Sequence, residues 1–164
     1  ILCFKSKDID TLREIYLAEL YRIENRNITV QYLFGASGTG KTSGIYAKYP
    51  ASEICRITDY NERNGVRFDA YHGQDVIVFE EFRSQIPIEA MLIYLDIYPL
   101  MLLARYTDRT ACYTQVYITS NLPLDEQYIS VQNSRPETWK AFLRRIHHVF
   151  AYMPEGTVNE IHFR

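Results

Sequence analysis

The stretch "YLFGASGTGKTSG", residues 32–44, decides the fold. Its core, Gly35-Ala36-Ser37-Gly38-Thr39-Gly40-Lys41-Thr42, satisfies GxxxxGK[ST] in full. Glycines let backbone N–H groups curl around phosphate oxygens, and the helix that follows turns its positive end toward them. In such a loop Lys41 reaches the β- and γ-phosphates and the Thr42 hydroxyl ligates Mg²⁺. The expected phosphate cradle is therefore Gly35, Ser37, Gly38, Thr39, Gly40, Lys41, Thr42 and Ser43. A glycine-rich turn that binds nothing is the bland alternative, and a strand before with a helix after argues against it.

Working outward, "ITVQYLF" (28–34) reads as a strand feeding the loop, with a helix over 41–48. "EICRIT" (53–58) reads as a second strand, and "DVIVFEEF" (75–82) as a buried parallel strand ending in two carboxylates. A helix with Pro in its first turn follows over 87–98. "LMLLARY" and "CYTQVYITSN" read as strands around a polar turn at 107–110, and 135–146 as a helix with Ser134 as its cap. Upstream, Ile9, Leu12, Tyr16, Leu20 and Ile23 form a helical stripe over 8–23, capped by Asp8 or Asp10 and placed outside the sheet. Strands alternating with helices after a glycine loop predict a three-layer α/β domain around a mainly parallel sheet. We divide the chain into an N-terminal helical segment, 1–27, and one nucleotide-binding domain, 28–164.

Composition narrows the function. The chain has 164 residues, 47% apolar and 23% charged, ordinary for one soluble domain with a real core. There is no apolar run of membrane-spanning length. Cys3, Cys55 and Cys112 are widely spaced, which argues for a reducing compartment and against a zinc site. A net charge of −2 gives no global field for nucleic acid, so any such contact is local or built by several subunits. The chain begins at Ile1 rather than Met, as a piece of a longer protein would.

In a parallel sheet the carboxyl ends of strands face the ligand crevice, so Glu80 and Glu81 should point at the nucleotide. Glu80 suits Mg²⁺ held through water, and Glu81 suits orienting an attacking water. A second acid leans toward hydrolysis rather than transfer to a metabolite. Asn121 ends "VYITSN" and can bridge a γ-phosphate oxygen and the lytic water, although Ser-Asn before "LPL" is also an ordinary turn. Arg144 and Arg145 sit on the last helix; an arginine that reaches a neighbour's γ-phosphate raises turnover by about 10³–10⁵ in related chemistry. His147 and His148 have no partner spacing for metal and read as structural or surface residues.

The order of these elements resembles the superfamily 3 helicases. The runs "RFDAYHGQDVIVFEEF", "IPIEAMLIYLDIYPL" and "VYITSN" are most similar to the helicase domain of replication initiators (Rep proteins) of circular single-stranded DNA viruses and related rolling-circle plasmids. An aromatic-Asp-x-Tyr-x-Gly lead, here Phe68, Asp69, Tyr71 and Gly73, is part of that pattern, as are Tyr98-Pro99-Leu100 and "FLRRI". The likeness spans residues 32–152 and implies an AAA+-like P-loop fold that binds ATP and Mg²⁺. It implies Lys41 and Thr42 as the Walker A pair, Glu80 and Glu81 as the Walker B acids, and Asn121 as the sensor. Arg144 or Arg145 becomes an arginine finger acting in trans. The family's DNA-tracking hairpin corresponds to "ARYTDRTACYT", which lacks the usual lysine and offers Arg105, Tyr106 and Arg109 for phosphate contact and stacking.

The resemblance thus implies an ATP-driven DNA helicase domain that assembles as a ring, most simply a hexamer, on single-stranded DNA. The resemblance also implies an upstream nicking endonuclease domain in the full-length protein; that domain's His-x-His metal motif does not occur in this chain, so no nuclease activity is expected of it. The setting would be intracellular, a bacterial cytoplasm for a plasmid protein or a host nucleus for a eukaryotic virus. Rival readings are a P-loop NTPase without unwinding activity (an oligomeric scaffold or a small-molecule kinase) and an RNA-virus helicase of the same superfamily.

Overall fold

A computed structural model describes residues 5–61 and 65–163, so Cys3 lies outside the described residues. Helix α1 (Ser6–Leu20) leads into β1 (Thr29–Gly35), the phosphate loop and α2 (Lys41–Lys48). Strand β2 (Ile54–Ile57), a small hairpin of β3 (Tyr60–Asn61) and β4 (Gly65–Val66), β5 (Val76–Phe79) and α3 (Ile88–Tyr94) follow. A second hairpin pairs β6 (Met101–Leu102) with β7 (Arg109–Thr110). Strand β8 (Gln115–Ser120), α4 (Ile129–Ser134), α5 (Pro136–Arg145), β9 (His148–Tyr152) and β10 (Val158–Ile161) complete the chain.

The central sheet runs β10-β9-β1-β8-β5-β2, parallel throughout except for antiparallel β10 at one edge. This is the expected mainly parallel sheet, with β1 at its centre. Side-chain alternation explains why its strands read as continuous apolar runs: both faces are covered. Val76 and Val78 of β5 pack with Ile45 of α2 on one face, whereas Ile77 and Phe79 join Met91 of α3 and Phe142 of α5 on the other. Arg26 is buried beside that second core, where its guanidinium donates to the carbonyls of Tyr113 (3.1 Å) and Asp96 (2.8 Å) and stacks 4.4 Å over the Tyr113 ring.

Several boundaries differ from expectation. Strands β9 and β10 were absent from the sequence-based assignment, yet β9 pairs directly with β1. Backbone turns extended at Ile146, so only Ile146 and His147 separate α5 from β9. Ser134 does not cap α5; it closes α4, donating to the Ser130 carbonyl, and Arg135 is the cap position. The apolar run 100–106 supplies only the two strand residues of β6, and Arg109–Thr110, expected as turn, is strand β7. Helix α3 stops at Tyr94 rather than 98. Helix α1 has Asp8 accepting from the Lys5 N–H and sits outside the sheet as expected, held by Arg13–Glu53 and Glu14–Arg109 ion pairs. Its stripe stays in solvent: Ile9, Leu12 and Tyr16 are 56, 55 and 67% exposed.

Candidate functional site

The phosphate loop follows from what happens at the end of β1. Gly35 pairs with Tyr152 of β9, and a methyl group on Gly35 would lie 2.3 Å from the Tyr152 carbonyl oxygen. Only glycine lets the two backbones approach so closely. Gly38 and Gly40 then take φ of 79° and 91°, turning the chain so that α2 starts at Lys41. The Lys41 ammonium donates to the carbonyls of Gly35 (2.7 Å) and Ala36 (2.8 Å), which folds it back over the loop. Burial lowers its pKa, and the charge of Glu81 opposes that effect.

An open cleft of about 390 Å³ lies against this loop. Residues 37–43, Arg56, Glu80, Glu81, Thr119, Ser120 and Asn121 line it. Parallel pairing in the order β1-β8-β5 sets the ends of these three strands side by side, so the loop, Asn121 and the two glutamates meet. The Thr42 hydroxyl donates to Glu80 Oε1 at 3.1 Å. Glu80 is buried and ion-paired to Arg56 through its other oxygen, and Tyr60 donates its hydroxyl to the Glu80 carbonyl. Glu81 and Asn121 are exposed to the cleft, and neither side chain makes a hydrogen bond among the described residues. The hard oxygens of Thr42 and Glu80 suit Mg²⁺, which keeps several waters and takes few protein ligands. No cluster of three or more His, Cys, Asp or Glu residues that could cage a metal occurs among the described residues.

Arg56 escaped the sequence reading. It is the one exposed residue of β2, set opposite Val78 and two residues short of Glu80. The available signal was a charge inside "EICRIT", an otherwise buried strand beside the acidic one.

The two arginines of α5 separate. Arg145 is tied to its own chain, donating to Asp96 Oδ2 at 2.9 Å and to the Ala141 carbonyl at 3.0 Å. Arg144 is exposed and makes no ion pair among the described residues, and neither arginine lines the cleft of its own chain. His147 Nδ1 accepts from the Val30 N–H of the central strand β1 at 2.9 Å, and His148 of β9 meets Glu160 of the edge strand β10 at 2.9 Å, so both serve the sheet.

Arg105 and Tyr106 occupy the tip between β6 and β7, with the Arg105 guanidinium 5.6 Å over the Tyr106 ring and that ring 89% exposed. Arg109, at the base, is paired to Glu14 of α1 at 3.4 Å. The Phe68-Asp69-x-Tyr71 lead proves to be the support of this hairpin. Phe68 N–H donates to the Leu103 carbonyl, Asp69 accepts from Arg105 N–H at 2.6 Å, and the Tyr71 hydroxyl accepts from Cys112 N–H at 2.9 Å.

Comparison with known proteins agrees with this architecture. No family model matches the chain. The chain is 28% identical over 131 residues to the "Replication-associated protein" of Goose circovirus, covering 76% of this chain and 39% of that protein. The resemblance to viral replication initiators drawn from the motifs is thereby borne out in sequence. Among solved structures, a chain of the S. cerevisiae Hsp104-ADP complex superposes with a TM-score of 0.51 at 17% identity, over 91% of this chain and 30% of that one. That likeness bears out the α/β P-loop NTPase fold.

Proposed function

We propose that the chain is the ATP-hydrolysing motor domain of a replication initiator, acting on single-stranded DNA as a ring whose ATP sites lie between subunits. The observation that carries this reading is one cleft: Lys41, Thr42, Glu80, Glu81 and Asn121 come from three strand ends and line a common space. A replication-associated relative and a neighbour solved as an ADP complex support it. Bound Mg²⁺ would screen the β- and γ-phosphate charge, held by Thr42 directly and by Glu80 through water. Lys41 and the loop N–H groups bind the triphosphate. Glu81, close to Lys41, orients the attacking water and accepts its proton, and Asn121 holds that water against the γ-phosphate. Charge develops there with no further cation on this chain reaching from α5, so Arg144 of a neighbouring copy completes the site. Arg145 is spent on Asp96. Arg105 and Tyr106 at the hairpin tip grip the strand by phosphate contact and stacking; Arg109, already paired, shapes the base of that hairpin. Six such tips converging on one channel would hold DNA despite a net charge of −2 per chain.

The test is ATP turnover with and without single-stranded DNA. Wild type should be stimulated, Lys41→Ala should be inactive, and Tyr106→Ala should keep basal turnover while losing stimulation. Turnover indifferent to DNA in an assembled protein would leave a P-loop NTPase that is not a DNA motor.

A further inference from the structure

Glu81 and Asn121 end different strands, yet both must address one water within about half an ångström. The backbone of Glu81 is left-handed, at φ 49°, and Ser84 repeats this at φ 60°. Residues with a Cβ keep that conformation only where their surroundings hold it. Phe82 supplies the hold. Its N–H donates to the Thr119 carbonyl at 2.8 Å, and its carbonyl accepts from Ser120 Oγ at 2.6 Å and from Gln127 Nε2 at 3.1 Å.

Gln127 is fully buried. The same amide nitrogen lies 2.8 Å from the Tyr32 hydroxyl and 3.1 Å from Ser120 Oγ, and its carbonyl oxygen accepts from Ser84 Oγ at 2.6 Å. The Tyr32 hydroxyl donates to the Leu122 carbonyl at 2.7 Å, and Ser120 Oγ accepts from Leu122 N–H at 3.0 Å. Phe82 and Ser84, beyond Glu81, and Ser120, before Asn121, therefore share one buried amide, and Leu122, after Asn121, joins it through the Tyr32 and Ser120 hydroxyls. Burying an amide costs free energy that an apolar side chain of equal volume avoids, and a fully satisfied polar network repays it by fixing a single geometry.

We propose that Gln127 is a positioning residue for hydrolysis: it locks the Glu81 turn and the Asn121 turn together so that carboxylate and amide meet the same water. The inference rests on the roles given above to Glu81 and Asn121. It assigns Gln127 no part in holding nucleotide, because the phosphate loop makes no hydrogen bond to it among the described residues.

Two variants test it: Gln127→Met keeps the volume and removes both ends of the amide, and Ser84→Ala removes only one donor to it. ATP kcat and KM, ADP affinity by fluorescence titration and the melting temperature are measured for each, with Glu81→Gln as control. The expected result for Gln127→Met is a fall in kcat of about tenfold or more with ADP Kd within about twofold of wild type. Ser84→Ala should show the same split, smaller. A folded Gln127→Met with wild-type kcat overturns the inference, and so does a parallel loss of kcat and ADP affinity, the signature of general loosening. If Gln127→Met does not fold, Ser84→Ala is judged by the same two criteria. Should Glu81→Gln itself retain kcat, the reading of the acid fails, a result distinct from failure of Gln127 alone.

Discussion

Substituting Gly35 by alanine probes the junction on which the site is built. The added methyl would stand 2.3 Å from the Tyr152 carbonyl oxygen and 3.0 Å from its Cβ. A comfortable carbon-to-oxygen separation is about 3.3 Å, so β9 must retreat by about 1 Å along its pairing with β1. The obstacle is backbone, paired to β1 on one side and β10 on the other, and cannot swing away as a side chain could. Gly35 also has φ 152°, where a Cβ adds strain of about 1–3 kcal/mol. Overpacking contributes about 1–3 kcal/mol more. The sum, about 4 kcal/mol, is a large share of the roughly 5–15 kcal/mol that holds a domain together. In a chain of this size it lowers Tm by about 8–16 °C. Gly38→Ala is the matched control: it too has positive φ, but nothing lies within 4 Å of the new methyl, so it should cost about 1 kcal/mol. Differential scanning calorimetry of the three proteins decides the matter. Equal melting of the two variants would refute the close approach of β1 and β9.

The arginines of α5 should divide by property. Arg145→Ala should lower stability by about 1 kcal/mol in denaturant melts, through loss of the half-buried pair with Asp96, whereas Arg144→Ala should melt as wild type. His147 has its pKa lowered, first by burial and then by the neighbouring His148, and its Nδ1 lone pair is engaged by the Val30 N–H. The folded state thus binds fewer protons than the unfolded chain. Stability is present above the unfolded value of 6.5 and is lost as pH falls through the folded one, so Tm should drop between pH 7 and 5.5, and less in His147→Gln. Cys55 and Cys112 are buried with their thiols pushed up to about 11. Both should resist alkylation at pH 8 until denaturant is added, as read by mass spectrometry.

How far the sequence carried the account depends on where each contact lies along the chain. The phosphate loop and the acidic strand were legible because their chemistry is local: glycines at fixed offsets, and an unbroken apolar run covered on both faces. Strand β9 was hidden because it begins at His148, two residues past a helix and after the polar His147, without a Gly or Pro to mark the change. Strand β10 lies at an edge with every residue exposed, so it carries no alternation. The run "LMLLARY" misled in the opposite sense, since Met101 and Leu103 are 50 and 65% exposed on a short hairpin. Lys41, Thr42, Glu80, Glu81 and Asn121, all expected from the sequence, line the cleft; Arg56, which lines it too, and Gln127, buried outside that lining, were not expected. Each of those two acts on a distant residue, Arg56 on Glu80 and Gln127 on Tyr32, Phe82, Ser84 and Ser120. Motif spacing records chemistry at one place in the chain and is silent on side chains that act at long range.

Mixing Lys41→Ala with Arg144→Ala protein tests most directly whether the ATP site is shared between subunits. Each variant alone should be nearly inactive. In a ring assembled from equal amounts of both, roughly one interface in four pairs an intact Lys41 with an intact neighbouring Arg144. The account predicts that mixing restores DNA-stimulated turnover to a substantial fraction of that share. Co-assembled rings that stay as inactive as the separate variants, or an Arg144→Ala protein that turns over normally by itself, would contradict it.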